Sequence, residues 1–218
     1  MTWQTTGYGD DKAISSIPTW LVPLATALPT VKSAAVTRFV PVEGIGRHAA
    51  VLVLFGDGPD VLLIERARGS GVHSGQPAFP GGVAEPIDAN AISTALREAE
   101  EETGVDARGI TVFGGLPDLW VPVSDFVVSP VLGWWHEPSD VAVQDTTEVS
   151  RVEKVAIDDL VNPDNRCTVL HPSGYRGPGF LVTDMLVWGF TAGVLDGILE
   201  YAGWAREWDS SRVVPIEK

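Results

Sequence analysis

From Gly81 to Val105 the chain reads GGVAEPIDANAISTALREAEEETGV, and no other stretch constrains its fold and chemistry as tightly. An α-helix turns about 100° per residue, so Glu98 and Glu102 fall about 40° apart on one face. Glu101 lies about 60° to the other side of Glu98, while Glu100 points roughly opposite. Like charges at this spacing destabilise an isolated helix. Hard divalent cations such as Mg²⁺ or Mn²⁺ prefer oxygen ligands and would relieve the repulsion. The competing reading is a solvated acidic face, as charge runs commonly are. The surroundings favour the metal site. Pro80-Gly81-Gly82 feed the helix and Gly104 stops it, while Ala91, Ala95, Leu96 and Ala99 give it a small apolar side for packing on a sheet. Arg97 is the one cation in the cluster, and Asp88 is a partner that would pin the loop to the helix. Phosphate chemistry at a loop–helix junction is the expectation.

The same run is similar to the signature of the Nudix hydrolases: a glycine, a distant acidic residue, then Arg-Glu-x-x-Glu-Glu-x-Gly. Gly82 matches the first glycine, Asp88 the acidic position, and Arg97 to Gly104 the complete second half. Eight residues separate Asp88 from Arg97, one more than the general signature has. The branch acting on coenzyme A carries this longer spacing and an acidic-Pro pair after the glycines, where Glu85-Pro86 stands here. Upstream, Leu62-Leu63-Ile64-Glu65-Arg66-Ala67 and His73-Ser74-Gly75-Gln76-Pro77-Ala78-Phe79-Pro80-Gly81-Gly82 resemble the segment that marks coenzyme A diphosphatases. Ile64 and Pro77 depart from that pattern. The segment between Ala67 and His73 is also shorter, so a middle arginine of the pattern has only Arg68 as a candidate. Gly115-Leu116, Phe126 to Pro130, Glu148-Val149 and Val187 to Ala192 resemble the branch as well.

The resemblance implies an α/β fold of Nudix type, an α/β/α sandwich around a mixed β-sheet. It implies a metal-dependent hydrolase that cuts coenzyme A or acyl-coenzyme A to 3′,5′-ADP and a 4′-phosphopantetheine product. Glu98, Glu101 and Glu102, with the Gly82 carbonyl, would hold Mg²⁺ or Mn²⁺, and a bound water would be activated there. Glu101 is the candidate base, with a loop residue as the alternative. Arg97 completes the catalytic group. Arg66, His73, Gln76 and Phe79 would bind substrate, while Gly81, Asp88 and Gly104 shape the motif. Other diphosphate substrates (ADP-ribose, NADH, a damaged nucleotide) stay open, as does a ligand-binding domain without turnover. A purely structural protein ranks lowest.

With 218 residues and 44% hydrophobic content, one substantial core and one domain are the simplest organisation. A formal charge of −14 argues against nucleic acid as a partner and for a small diphosphate ligand met through cations. The single cysteine, Cys167, excludes an internal disulfide and suits the cytoplasm. The apolar run 17–28 is broken by Pro18 and Pro23, and the run 185–195 is too short to span a bilayer, so no membrane association is expected. Residues 1–35 read as an N-terminal arm with a short apolar helix, packing on the body or on a partner, and 36–218 as the Nudix domain. The arm is a candidate contact for a homodimer. Strands are expected at 49–55 and 61–65, joined as a hairpin through Gly56-Asp57-Gly58-Pro59, and at 110–113, 126–135 and 152–157. Helices are expected at 89–103, 158–160 and 185–201.

Overall fold

Alternation of apolar residues with a glycine-rich turn produces the hairpin at the centre of the fold. The computed structural model describes residues 11–33, 46–69 and 74–216. Strand β1 (Arg47–Gly56) turns through Asp57-Gly58-Pro59 into β2 (Asp60–Arg66), with Phe55 opposite Val61. Strand β3 (Pro77–Ala78) extends the β2 edge, and β4 (Gly81–Val83) pairs antiparallel with the first half of β1. Beyond β1 lies β7 (Phe126–Trp135), parallel to it, with β5 (Ile110–Gly115) and β6 (Leu119–Val121) antiparallel on β7. Strand β8 (Val149–Ala156) closes against β2. The sheet is therefore mixed.

Helices cover both faces. Two short helices, α1 (Asp11–Ser16) and α2 (Val22–Ala27), precede β1, and α3 (Ala91–Thr103) follows β4. Ala91, Ala95 and Ala99 of α3 are fully buried with Ala50, Leu52, Leu54 and Val131. Their small side chains let the helix axis lie close to the sheet, which brings the neighbouring glutamates to the backbone of β4. On the opposite face, α4 (Ile157–Val161) and α5 (Gly189–Tyr201) share the larger core with Val53, Phe55, Leu63 and Phe113.

Residues 17–31 of the segment preceding β1 pack on the body, one of the two arrangements expected of the arm: Ile17, Leu21, Leu24, Ala25, Leu28 and Val31 are buried in the larger core. Trp20 packs in T-shaped contacts with Phe55 and Trp134, at ring separations of 6.0 and 6.3 Å. The parts of the expected arm at 1–10 and 34–35 lie outside the described residues. The apolar run from Met185 is not one helix. Met185–Val187 forms β11, paired with β10 (Arg176–Val182), and Gly189, at φ +65°, turns the chain from extended Trp188 into α5. Strands β9 (Arg166–Leu170) and β12 (Val213–Pro215) complete a second sheet, ordered β11-β10-β9-β12, beyond the expected strands. Cys167 is buried within it. No described helix is long and apolar enough to cross a membrane.

Because Leu24 is fully buried among residues of the main core, Leu24→Ala should destabilise the protein by about 2–5 kcal/mol. Chemical denaturation measures this; an unchanged midpoint would contradict the packing of residues 17–31 on the main core.

Candidate active site

Helix α3 begins on a reciprocal cap. Asn90 accepts from the Ser93 amide at 3.0 Å, and the Ser93 hydroxyl accepts from the Asn90 amide at 3.0 Å. It ends at left-handed Gly104, φ +73°, whose amide donates to the Glu100 carbonyl. These two ends fix the phase of the helix, and so which carboxylates meet the loop.

Arg97 is the hub. Its Nε and Nη2 donate to the two carboxylate oxygens of Asp88 at 3.1 and 2.9 Å, and Nη2 also reaches the Val83 carbonyl at 3.2 Å. Its Nη1 lies 3.0 Å from both Glu98 and Glu101. Asp88 accepts further bonds from the Glu85 amide and the Thr94 hydroxyl, each at 2.9 Å. The arginine bonds foremost, then these donors, lower the Asp88 pKa to about 2 against a burial cost. Loop 83–88 is thus tied to the helix by a bidentate ion pair whose acid side chain is only 3% exposed.

Glu98 and Glu102 turn toward the backbone of β4. Glu102, 3% exposed, accepts the Gly81 amide at 2.8 Å. A Cβ on Gly82 would fall 2.4–2.5 Å from the Glu98 carboxyl group, so only glycine lets that carboxylate rest there. A Cβ on Gly81 would lie 2.3 Å from the Ala50 carbonyl, so the close β1–β4 pairing needs glycine as well. Burial raises the Glu102 pKa to about 7, with Glu98 and Glu148 adding repulsion and the Gly81 amide and Arg66 opposing it. Glu98 is raised too, first by burial, then by Glu101 and Glu148, against the pull of Arg97.

Glu98 is the shared member of the three carboxylates: Glu102 acts on it from the Gly81 side, and Glu101, 59% exposed, meets it at the Arg97 guanidinium, while no three His, Cys, Asp or Glu side chains among the described residues stand as a ready-made metal site. The donor set nevertheless suits a hard divalent ion. Two carboxylates share a glycine-lined recess, their charge disfavoured by burial and mutual repulsion, which a cation would relieve.

The expected substrate residues divide. Arg66 ends β2 close enough to favour the charged form of Glu102. The Gln76 carbonyl accepts the Arg66 amide at 3.1 Å, fastening the loop. Phe79 is 2% exposed and belongs to the main core, so the structure assigns it to packing, where it anchors Pro80-Gly81, and not to a ligand-facing surface. His73 lies outside the described residues. Glu148, exposed at the end of the loop before β8, was not expected as a site residue; the Glu148-Val149 match to the branch pattern was its only signal.

Comparison with known proteins fits this geometry. A family model described as NUDIX domain matches residues 45–171, more than half of the chain. The chain is 44% identical over 89 residues to a protein of Photorhabdus laumondii named as an uncharacterized Nudix hydrolase, NudL, covering 40% of this chain and 47% of that protein. The chain thus spans about half the length of the first such relatives. To the NudL of Escherichia coli K12 it is 35% identical over 159 residues, covering 68% of this chain and 79% of the relative. Among solved structures, the Nudix hydrolase RenU of M. smegmatis superposes over 77% of this chain and 99% of its own, with a TM-score of 0.51 at 19% identity, which supports the fold.

The raised Glu102 pKa makes the stability of the fold depend on pH. A carboxyl group that binds its proton more tightly when folded stabilises the fold below its ordinary value of 4.5, and that contribution is lost as pH rises through about 7. Metal-free wild-type protein should therefore lose stability relative to Glu102→Gln between these values, on the order of 3 kcal/mol. Thermal melts across pH measure it, and added Mn²⁺ should remove most of the difference. Parallel pH profiles for the two proteins would contradict the assignment.

Proposed function

The chain belongs to the Nudix family, and on that premise we propose that it is a metal-dependent hydrolase of the diphosphate bond in coenzyme A or an acyl-coenzyme A. The observation that carries the hydrolase reading is the pair Glu98 and Glu102 pressed onto the Gly81-Gly82 backbone by a helix whose neighbouring Arg97 is committed to Asp88. Glu98 and Glu102, with Glu101 and the Gly82 carbonyl, would hold Mg²⁺ or Mn²⁺. When bound, such an ion neutralises diphosphate charge and lowers the pKa of water toward neutrality.

The remaining work falls to side chains of this protein. Arg97 keeps Glu98 and Glu101 in reach of one another and holds loop 83–88 against the helix. Arg66 sets a positive charge beside Glu102, where an anionic substrate has few other cations to meet in a chain of formal charge −14. A carboxylate must accept the proton of the attacking water. Glu101 is exposed enough to do so, though shared with Arg97; Glu148 is the loop carboxylate whose charge already acts on both buried glutamates. Substrate choice rests on Glu85-Pro86, the eight-residue spacing to Arg97, and the segment from Leu62 to Gly82. A nucleoside diphosphate derivative such as ADP-ribose or NADH would use the same helix with a different pocket.

Incubation with Mg²⁺ or Mn²⁺ and coenzyme A, dephospho-coenzyme A, ADP-ribose or NADH, with products resolved by chromatography, tests both levels. The expected outcome is release of 3′,5′-ADP from coenzyme A, slower cleavage of the form lacking the 3′-phosphate, and a loss of 10²-fold or more in Glu102→Gln, on the order expected for losing a metal-held electrostatic contact. Preference for ADP-ribose or NADH would keep the hydrolase and discard the substrate. No cleavage of any compound would overturn the enzyme.

A further inference from the structure

The segment that carries Gly81 and Gly82 is held from an unexpected side. Working along it, the Gln76 carbonyl accepts the Arg66 amide at 3.1 Å, Pro77 and Ala78 pair with Glu65 and Ile64, and the Pro80 carbonyl accepts the Leu52 amide at 2.8 Å. Strand β3 is two residues long and lies at the sheet edge. Proline suits that position because it has no amide to donate. Its carbonyl is met from outside the sheet: the Thr191 hydroxyl, in the first turn of α5, donates to it at 3.1 Å across 114 residues of sequence. Thr191 is 5% exposed, so water competes poorly for either partner, and a buried carbonyl left unpaired is costly.

We propose that Thr191 is a positioning residue for the metal site, acting through the Pro77 carbonyl to fix the Gly81-Gly82 backbone beneath Glu98 and Glu102. The proposal rests on the metal-dependent reading above. Helix α5 is anchored in the main core by Ala192, Leu195, Ile198 and Leu199 on the same side as Phe79, so the hydroxyl ties the glycine segment to a rigid body. From Pro77 only Ala78, Phe79 and Pro80 intervene before Gly81, whose amide holds Glu102. Releasing the carbonyl lets β3 shift, and with it the amide and the Gly82 carbonyl that bound the recess. Outer partners of this kind typically set metal affinity by about 10- to 100-fold.

The test measures Mn²⁺ binding to the full chain by electron paramagnetic resonance, together with kcat and KM for the best substrate. Wild type is compared with Thr191→Val, Thr191→Ala and Thr191→Ser. Val keeps the shape but strands the carbonyl; Ala provides a second hydroxyl-free variant should Val fold poorly; Ser restores the donor. The expected result is Mn²⁺ affinity weakened about tenfold in Val or Ala and recovered in Ser, with kcat falling alongside and KM little changed at saturating metal. Near-wild-type Mn²⁺ affinity in a folded Val or Ala variant would overturn the proposal while leaving the hydrolase standing. A wild-type protein that binds no Mn²⁺ would overturn the metal-dependent reading, and the proposal with it.

Discussion

The site depends on one ion pair. Arg97 and Asp88 lie on different elements, the helix and the loop before it, and their bidentate contact makes those elements one body. Such a pair contributes less through attraction than through what its loss would expose. Removing Arg97 would leave a nearly buried Asp88 without its main partner and Glu98 and Glu101 without their cation, and stranded charges of this kind are strongly destabilising. The pair also settles a competition. A guanidinium spent on Asp88 and the Val83 carbonyl has only Nη1 left for Glu98 and Glu101, and Glu102 is left to the Gly81 amide. Two carboxylates therefore remain incompletely neutralised in a recess that burial makes unfavourable for charge.

That tension is sustained by packing. The alanine side of α3 brings the helix close to β1 and β4, and glycines at 81 and 82 let carboxylates occupy space that side chains would otherwise fill. On the far face, the N-terminal segment, α5 and part of the second sheet complete the larger core, which holds Phe79 and so the strand leading to the glycines. The site is a thin layer of backbone between two packed faces. Its geometry is set as much by the larger core as by the helix that carries the glutamates.

Much of this was legible in the sequence where local pattern and tertiary environment agree. Apolar runs flanking a glycine-rich turn specify the β1–β2 hairpin, and the spacing of Ala91, Ala95 and Ala99 specifies the buried side of α3. The adjacent Trp134 and Trp135 divide between the two faces of β7, as strand alternation requires. Legibility failed where long-range contacts decide. Hydropathy across Met185 to Tyr201 is continuous, but pairing with β10 makes its first residues a strand and Gly189 marks the change. Strand β9 and the C-terminal β12 pair across more than forty residues, a contact no local window contains. Phe79 sits inside a motif, which suggested ligand contact, although the ring is core. Glu148 is far from the helix in sequence and comes to the carboxylates only because β8 pairs with β2.

The recess formed by Glu98, Glu102 and the Gly82 backbone is proposed to take a divalent cation. The most direct measurement is an anomalous difference map, collected at the manganese absorption edge, from crystals of the protein equilibrated with Mn²⁺. The expected result is a peak bounded by those two carboxylates and the Gly82 carbonyl. A map with no peak there at saturating Mn²⁺, or with manganese held only by exposed acidic side chains elsewhere, would contradict it.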